Sequence, residues 1–414
     1  MTRADYSTKG RKESARADRD DSGQETVRPL SILHLHQKTS LSTGSVQQMM
    51  QAAGGLRARG HHVMAVAPPS AEISTFGAEL DLDVSAEPFA HIGDLKTVIG
   101  LRRLIRRERP DVIHVHKGRA HWLAMVALAG DPHPVLIANR GVSFPLTLWN
   151  RGKYRSSRTD RVITVCEAIR DMIRTSGKVD PKKIDVVYAG TDMARFDRRR
   201  LDPVRFREQE GIPLDAFVIL QSGTRRWKGW KEVVDAFGNL RSTAANARLL
   251  IVGNDGAERE NKVRSYVSDR GLSDFARVLG YRPDIEHVLA AADVTVDASW
   301  EGTGITGTVR ESMAVGTAVI ATDCGGNREL IRDPQLGWLI GRQDRARLLA
   351  ALREAHADPE KRQKIAEAAE RFVRPNFSIE RRIDRLESIY FAAVRARREL
   401  HLSRAAEETA GYPG

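Results

Sequence analysis

The chain has little cysteine. Cys166 and Cys324 are its two cysteines in 414 residues, far apart and without a Cys-x-x-Cys or metal-ligand spacing. That excludes a disulfide-stapled scaffold and a cysteine zinc site, and it fits a reducing compartment in which both read as small buried residues. Long apolar runs are missing as well. None approaches the roughly 18 residues of a membrane-spanning helix, and the polar start from Met1 to Arg28 has no signal-peptide apolar region. A cytoplasmic protein is the expectation.

What the chain has in excess is positive charge. A formal net charge of +12 and a pI near 9.9 call for an anionic partner: nucleic acid, acidic lipid headgroups or phosphorylated substrates. No recognition helix, zinc spacing or aromatic-basic RNA motif accompanies the charge, so nucleic acid is not expected. With 41% hydrophobic residues the chain can bury ordinary cores, and its length suits two domains.

Residues 1–28 are almost free of apolar side chains and predict a disordered tail. From Leu30 onward, β-branched runs alternate with amphipathic stretches: "SILHLH", "SVQQMMQAAGGLRARG", "HVMAVA", then "DVIHVH", "VLIAN", "RVITV" and "IDVVYAG". This alternation is the mark of βα units on a parallel sheet. After the charged connector "RFDRRRLDPVRFREQEG" the rhythm restarts with "FVILQSG", "WKEVVDAFGNL", "RLLIVGNDG", "HVLAAA", "VTVDAS" and "AVIATDCGG". The fold class is therefore α/β, with two Rossmann-like doubly wound domains, 29–198 and 199–375. A helix over 376–400 crosses back to the first domain, and 401–414 forms a flexible tail. Ligands of such sheets sit beyond the carboxyl ends of the strands, in the cleft between the halves.

The loops after the strands carry the chemistry. "GTGITGTVRESMAVG" follows "VTVDAS", with Gly302, Gly304 and Gly307 permitting close backbone approach and a helix start near Val309 offering unpaired N–H groups to a phosphate. The competing reading is a tight connection with "TVRE" as a capping box, Thr308 capping and Glu311 folding back. "SGTRRWKGW" places Arg225, Arg226 and Lys228 at a strand end, where a diphosphate would meet fixed cations. "QKTSLSTGSV" ends at Gly44 and Ser45 ahead of a helix, a loose relative of a dinucleotide fingerprint. "DVIHVHKG" sets His116 at a strand end, which makes it a catalytic candidate, with His114 on the same face; a satisfied structural histidine is the competing reading. "DCGGNRELI" forms a further strand-to-helix turn in which Gly325 and Gly326 give close backbone approach; the competing reading is a plain glycine turn whose Glu329 complements the dipole of the helix it enters. "DLD" at Asp81 to Asp83 has no second carboxylate cluster to support a metal site. Finally, two basic stretches remain, "LRRLIRRERP" and "WNRGKYRSSRTDR"; the first puts Leu101, Leu104 and Ile105 on one helical face among arginines. The first can lie on an anionic membrane surface or dock on the sheet.

In order and spacing, "WKGW" with Lys228, "RLLIVGNDG", "VLAAADVTVDASWEG" and "ESMAVGTAVIATDCGGNREL" resemble the retaining glycosyltransferases of family 4, the glycosyl transferases group 1, from about Leu30 to about Tyr390. The resemblance implies the GT-B fold, with a nucleoside-diphosphate sugar (a UDP-sugar, for instance) on the carboxyl-terminal domain and the acceptor on the amino-terminal one. Carried over by position, Lys228 with Arg225 or Arg226 neutralises the diphosphate, Glu311 holds the ribose, backbone amides from Ile305 through Thr306 and Gly307 to Thr308 reach phosphate or sugar, and Gly44 approaches from the facing domain. Two departures stand out. Counting back from Glu311 at the family's spacing lands on Thr303, whereas the available acid is Glu301, two residues earlier. A histidine that the family often carries is replaced near Asn139, Arg140 and Gly141, which makes Arg140 a candidate ligand for an anionic acceptor or a donor phosphate.

The resemblance implies sugar transfer with retention to a glycan or glycolipid acceptor, in cell-surface polysaccharide or lipopolysaccharide synthesis, on the cytoplasmic face of a membrane. No cofactor and no essential metal are implied, because protein cations and helix N-termini meet the diphosphate. A nucleotide-sugar epimerase of the same fold would need an acid-base pair around the sugar, and the amino-terminal half shows no clear pair. A basic nucleic-acid-binding protein is the remaining, more distant alternative.

Overall fold

The computed structural model describes residues 28–253 and 256–410, with side chains to residue 403. The sequence-predicted tail therefore lies outside the described residues, Arg28 apart. The apolar runs become two all-parallel sheets. The first comprises β1 (Ser31–Leu35), β2 (His62–Ala67), β3 (Asp83–Ala86), β4 (Val112–Val115), β5 (Val135–Arg140), β6 (Arg161–Thr164) and β7 (Ile184–Val186), in the spatial order β3-β2-β1-β4-β5-β6-β7. The second comprises β8 (Phe217–Ser222), β9 (Ala247–Val252), β10 (Ala276–Gly280), β11 (Val294–Asp297), β12 (Ala318–Thr322) and β13 (Trp338–Ile340), in the order β10-β9-β8-β11-β12-β13. Each order reverses beside its first strand, β1 or β8, and a crevice opens there at the carboxyl ends.

The strands are β-branched because helices cover both faces, so alternation gives way to continuous apolar runs; β4 and β12 are buried at every position. The helix Trp230–Leu240 shows the complementary helical period, burying Trp230, Val233, Val234, Phe237 and Leu240. Strands β3, β10 and β13 are short or edge strands with weaker patterns, and the sequence did not single them out.

The helix Leu95–Glu108 settles one open reading. Leu101, Leu104 and Ile105 are buried in the core beneath it, so they dock the helix on the sheet and are not available to a membrane. At the carboxyl end, the helix Ile379–Ala410 runs well past residue 400, so 401–410 are helical rather than a flexible tail; 411–414 lie outside the described residues. This helix does return to the first domain, burying Ile383, Leu386, Ile389 and Tyr390 in the cluster formed by the helix Gly44–Ala58. The crossing is pinned where Thr191 N–H donates to the Phe377 carbonyl and Ile379 N–H donates to the Thr191 carbonyl.

Candidate active site

The second sheet builds the site from three strand ends. After β8, Gly223 (φ +88°) turns the chain into a short helical turn, Arg226–Lys228. Gly229 (φ +66°) follows, where a Cβ would collide with the carbonyl oxygen of Ala298. Glycine is thus required for this loop to lie over the end of β11, and the consequence is that Lys228 Nζ sits 3.8 Å from Asp297 Oδ1.

Asp297 ends β11 and is 2% exposed. The hydroxyl of Ser299 donates to its Oδ1, while Thr306 Oγ1 (2.7 Å) and Asn327 Nδ2 (2.9 Å) donate to its Oδ2. Burial alone would push this carboxyl up. The Lys228 charge and the three hydrogen bonds outweigh it and hold the group below the usual carboxylate range. One buried carboxylate therefore ties together the loop after β8, the glycine loop after β11 and the turn after β12. Sequence reasoning missed Asp297 and Asn327. The available signal was an acid closing an otherwise apolar buried strand, which requires a partner.

The glycine loop starts its helix at Gly307, not Val309. Thr308 does not cap it: its Oγ1 donates 2.8 Å to Ser222 Oγ and fastens the helix start to β8. The Ncap is Thr306, whose hydroxyl is committed to Asp297, and among the described residues no side chain caps the first turn. Its N–H groups and dipole end are thus left for an anion. Glu311 does not fold back as a capping box either. Burial pushes its carboxyl up against the opposing pull of Arg310 and Arg195, and it borders a cavity of about 250 Å³ lined also by Ser42, Gln48, Gly190, Gly223 and Tyr281. Gly44 opens the helix Gly44–Ala58 on the facing domain, again without a side-chain cap, and among the described residues no heavy atom lies within 4 Å of where its Cβ would be.

The loop after β11 also seals the two domains together. A Cβ at Gly302 would lie 2.7 Å from Phe144 Cζ, one at Gly304 2.6 Å from Val165 Cγ2 and 2.9 Å from the Gly141 carbonyl, and one at Gly326 2.9 Å from Cys166 Cβ. Ile305 packs into an apolar cluster that continues through Cys166 and Ile169. Glu329 lies across this seam. Its carboxylate accepts from Glu167 N–H (2.9 Å) and Ala168 N–H (3.0 Å), so it caps the helix Glu167–Gly177 of the other domain rather than complementing its own.

Several sequence-predicted residues stand elsewhere. Thr303 is buried, its hydroxyl donating 3.3 Å to Cys324 Sγ, while Glu301 is half-buried. Arg225 and Arg226 are exposed, their guanidinium groups over the rings of Trp227 (5.6 Å) and Trp300 (5.7 Å). His116 is not in the cleft but buried beneath it in a cluster with His34 and His114. His34 Nδ1 and His116 Nε2 share a hydrogen bond of 2.9 Å, and His114 Nδ1 pairs with the Tyr390 hydroxyl at 2.6 Å. Ring nitrogens of the three histidines lie within 4.8 Å of one another, close enough to approach a metal. Burial and the neighbouring Arg382 charge keep all three imidazoles neutral, and that adjacent buried cation opposes a dication. Asp81, from the acidic pair, bridges to Arg57 at 3.3 Å. Arg140, at the end of β5, donates through Nη2 to the Phe144 carbonyl.

Comparison with known proteins identifies the family and the fold. Residues 204–372 match the family described as glycosyl transferases group 1, and residues 42–195 match glycosyltransferase family 4. "Putative glycosyltransferase EpsD" of Bacillus subtilis is 30% identical over 312 residues, covering 70% of this chain and 79% of that protein. The UDP-Gal:alpha-D-GlcNAc-diphosphoundecaprenol alpha-1,3-galactosyltransferase of Escherichia coli is 25% identical over 318 residues, covering 73% and 81%. Among solved structures, a Rickettsia africae glycosyltransferase superposes with a TM-score of 0.81 at 20% identity, covering 89% of this chain and 99% of that one. Anabaena HepE in complex with UDP and glucose gives 0.75 at 19% identity, covering 88% and 100%; both likenesses are of fold.

Proposed function

The chain belongs to the family 4 glycosyltransferases, with the GT-B fold, and on that premise we propose that it transfers a sugar from a nucleoside-diphosphate donor to a glycan or glycolipid acceptor with retention. The observation that carries the reading is the buried Asp297, which aligns Lys228, the uncapped helix Gly307–Ala314 and the turn at Asn327 around one strand end. The nucleoside occupies the cavity with its ribose on Glu311, and the diphosphate lies between Lys228, the amides from Ile305 to Thr308 and the helix start at Gly44. Charge on the leaving diphosphate is met by these fixed protein donors, so no metal is required. Glu301, rather than the inward-turned Thr303, faces the sugar. The bond from the anomeric carbon to the diphosphate oxygen breaks, the acceptor oxygen bonds to the same face, and its proton passes to the leaving diphosphate.

A UDP-sugar donor and a cell-surface glycan or glycolipid product are favoured by the E. coli relative named for UDP-Gal and a diphosphoundecaprenol acceptor, and by the UDP held by the Anabaena protein. We place the reaction at the cytoplasmic face of a membrane. Among the described residues no helix is long and apolar enough to cross one, and the exposed Leu148 and Trp149 stand beside Arg151 and Arg155 on the amino-terminal domain.

Thermal stabilisation and diphosphate release across UDP-, GDP- and ADP-sugars test the reading. One nucleotide class should raise Tm and release diphosphate. Lys228→Ala should lower kcat by about 10²-fold, since one preorganised donor to a developing charge is worth that much, and Glu311→Ala should weaken donor binding with Tm retained. Wild-type turnover in both variants would refute the assignment.

A further inference from the structure

The parallel register of β1, β4 and β5 brings four cations together at adjacent strand ends of the amino-terminal domain. Lys38 lies in the loop after β1, Lys117 follows β4 as the Ncap of the helix Gly118–Ala127, and Arg140 ends β5. Lys153, on the helix Leu148–Arg155, reaches back so that its Nζ donates 3.1 Å to the Gly118 carbonyl, one residue from Lys117. Among the described residues no carboxylate is within ion-pair distance of any of the four. The loop of Lys38 is held in place by its own N–H, which donates 3.0 Å to His36 Nδ1, and by His36 Nε2 bonded to Ser45 Oγ at 3.1 Å.

Such a cluster is self-repelling. Burial, with the charges of Lys38, Arg140 and Arg225, lowers the Lys117 ammonium to about 8, and burial with Arg140 lowers Lys153 to about 8. Like charges gathered at neighbouring strand ends cost stability that a bound anion returns. The cluster is distinct from Lys228, which has Asp297 as its partner. It also lies next to the sugar position. Arg140 is bonded to the carbonyl of Phe144, whose ring rests on Gly302, beside Glu301.

We propose that Lys38, Lys117, Arg140 and Lys153 form a binding site for a phosphate group carried by the acceptor. This rests on the transferase reading above and specifies its acceptor as a phosphate ester. The same chemistry is offered by a lipid-linked diphosphate and by a soluble sugar phosphate. Phe144, Leu148 and Trp149, all exposed on the segment between Arg140 and Lys153, give a hydrocarbon chain a surface to follow.

The test is direct binding to the full-length protein, by calorimetry, of three probes: farnesyl diphosphate, glucose 1-phosphate and uncharged methyl glucoside. Wild type should bind at least one phosphorylated probe and not the uncharged one. Lys117→Gln, Arg140→Gln and the surface change Lys38→Ala should each weaken it several-fold, with the first two together weakening it tenfold or more, while Lys228→Ala retains it. Preference for farnesyl diphosphate assigns the phosphate to a lipid carrier, and preference for glucose 1-phosphate to a soluble acceptor. Unchanged binding in the three cluster variants at wild-type Tm, or loss confined to Lys228→Ala, overturns the proposal. Because binding is read without turnover, a chain that takes no nucleotide sugar yet shows this pattern would refute the transferase reading and leave the anion site standing.

Discussion

At the residue scale, the site depends on a carboxylate that touches neither domain's surface. Asp297 serves Lys228 through charge and the glycine loop through hydrogen bonds, so Asp297→Asn keeps the shape and removes the charge. The amide can still accept from Thr306 or Ser299, but Lys228 loses its fixed counter-ion. Asp297→Asn is expected to lower donor turnover roughly tenfold to a hundredfold, on the order of 1.4 to 2.7 kcal/mol of transition-state stabilisation, with a smaller effect on KM. Equal activity in the variant would show that Lys228 is placed without it. The buried histidines give a second prediction at this scale. Burial first, then Arg382, Lys117 or Lys153, holds His34, His36 and His121 near 3. In the unfolded chain they titrate near 6.5. Between those values the unfolded state binds more protons, so this stability is intact above about pH 6.5 and is lost as pH falls towards 3, by up to roughly 1.4 kcal/mol per pH unit for each histidine. Urea midpoints should drop between pH 7 and pH 5, and His121→Gln should flatten the slope. A flat profile in the parent protein would contradict the neutral histidine core.

At the element scale, Gly325 in the turn after β12 and Gly304 in the loop after β11 are glycines for different reasons. Gly325 has φ +57°, and a Cβ there would lie 2.6 Å from the Gly304 carbonyl and 2.8 Å from Thr303 Oγ1. Gly304 carries no such backbone demand; it is short of room because Val165 and the Gly141 carbonyl of the other domain press on it. Gly325→Ala should therefore cost about 1–3 kcal/mol in unfolding free energy. Gly304→Ala should leave the unfolding midpoint of the carboxyl-terminal domain in place and raise the donor KM by prising the seam open. Denaturation followed beside steady-state kinetics separates the two, and matching losses of stability would remove the distinction. These glycines were visible in the sequence as a cradle. Which of them served conformation and which served contact was not, because contact depends on residues from the other sheet.

At the scale of the whole molecule, the domains are held by polar ties as well as by the apolar seam. Glu329 caps a helix across the boundary, and the buried Arg310 donates to Thr191 Oγ1 (2.5 Å) and to the Gly190 carbonyl (3.0 Å), whose peptide is also gripped by Gln48 at 2.7 Å. Cap removal typically costs about 1 kcal/mol, enough to shift a two-state opening several-fold. Glu329→Ala should increase the radius of gyration in X-ray scattering and raise the donor KM while circular dichroism stays unchanged. Identical scattering and kinetics would show that the seam closes without this tie. The sequence read Glu329 as serving its own helix, since a first-turn acid ordinarily does. The partner it chose belongs to a segment far away in the chain.

The chain's own pattern determined the alternation of strands and helices, the two Rossmann-like halves, the loops that bear the site, and the family, because β-branched runs, helical periods and glycine turns are properties of neighbouring residues. Tertiary structure alone decided which side chains share a charge and which share a space. It moved His116 out of the cleft, turned Thr303 inward, brought Asp297 to Lys228 and gathered Lys117, Arg140 and Lys153 with no carboxylate of the described residues within ion-pair distance. The physical reason is that packing and electrostatics act over a few ångströms in space, where residues distant in sequence become nearest neighbours.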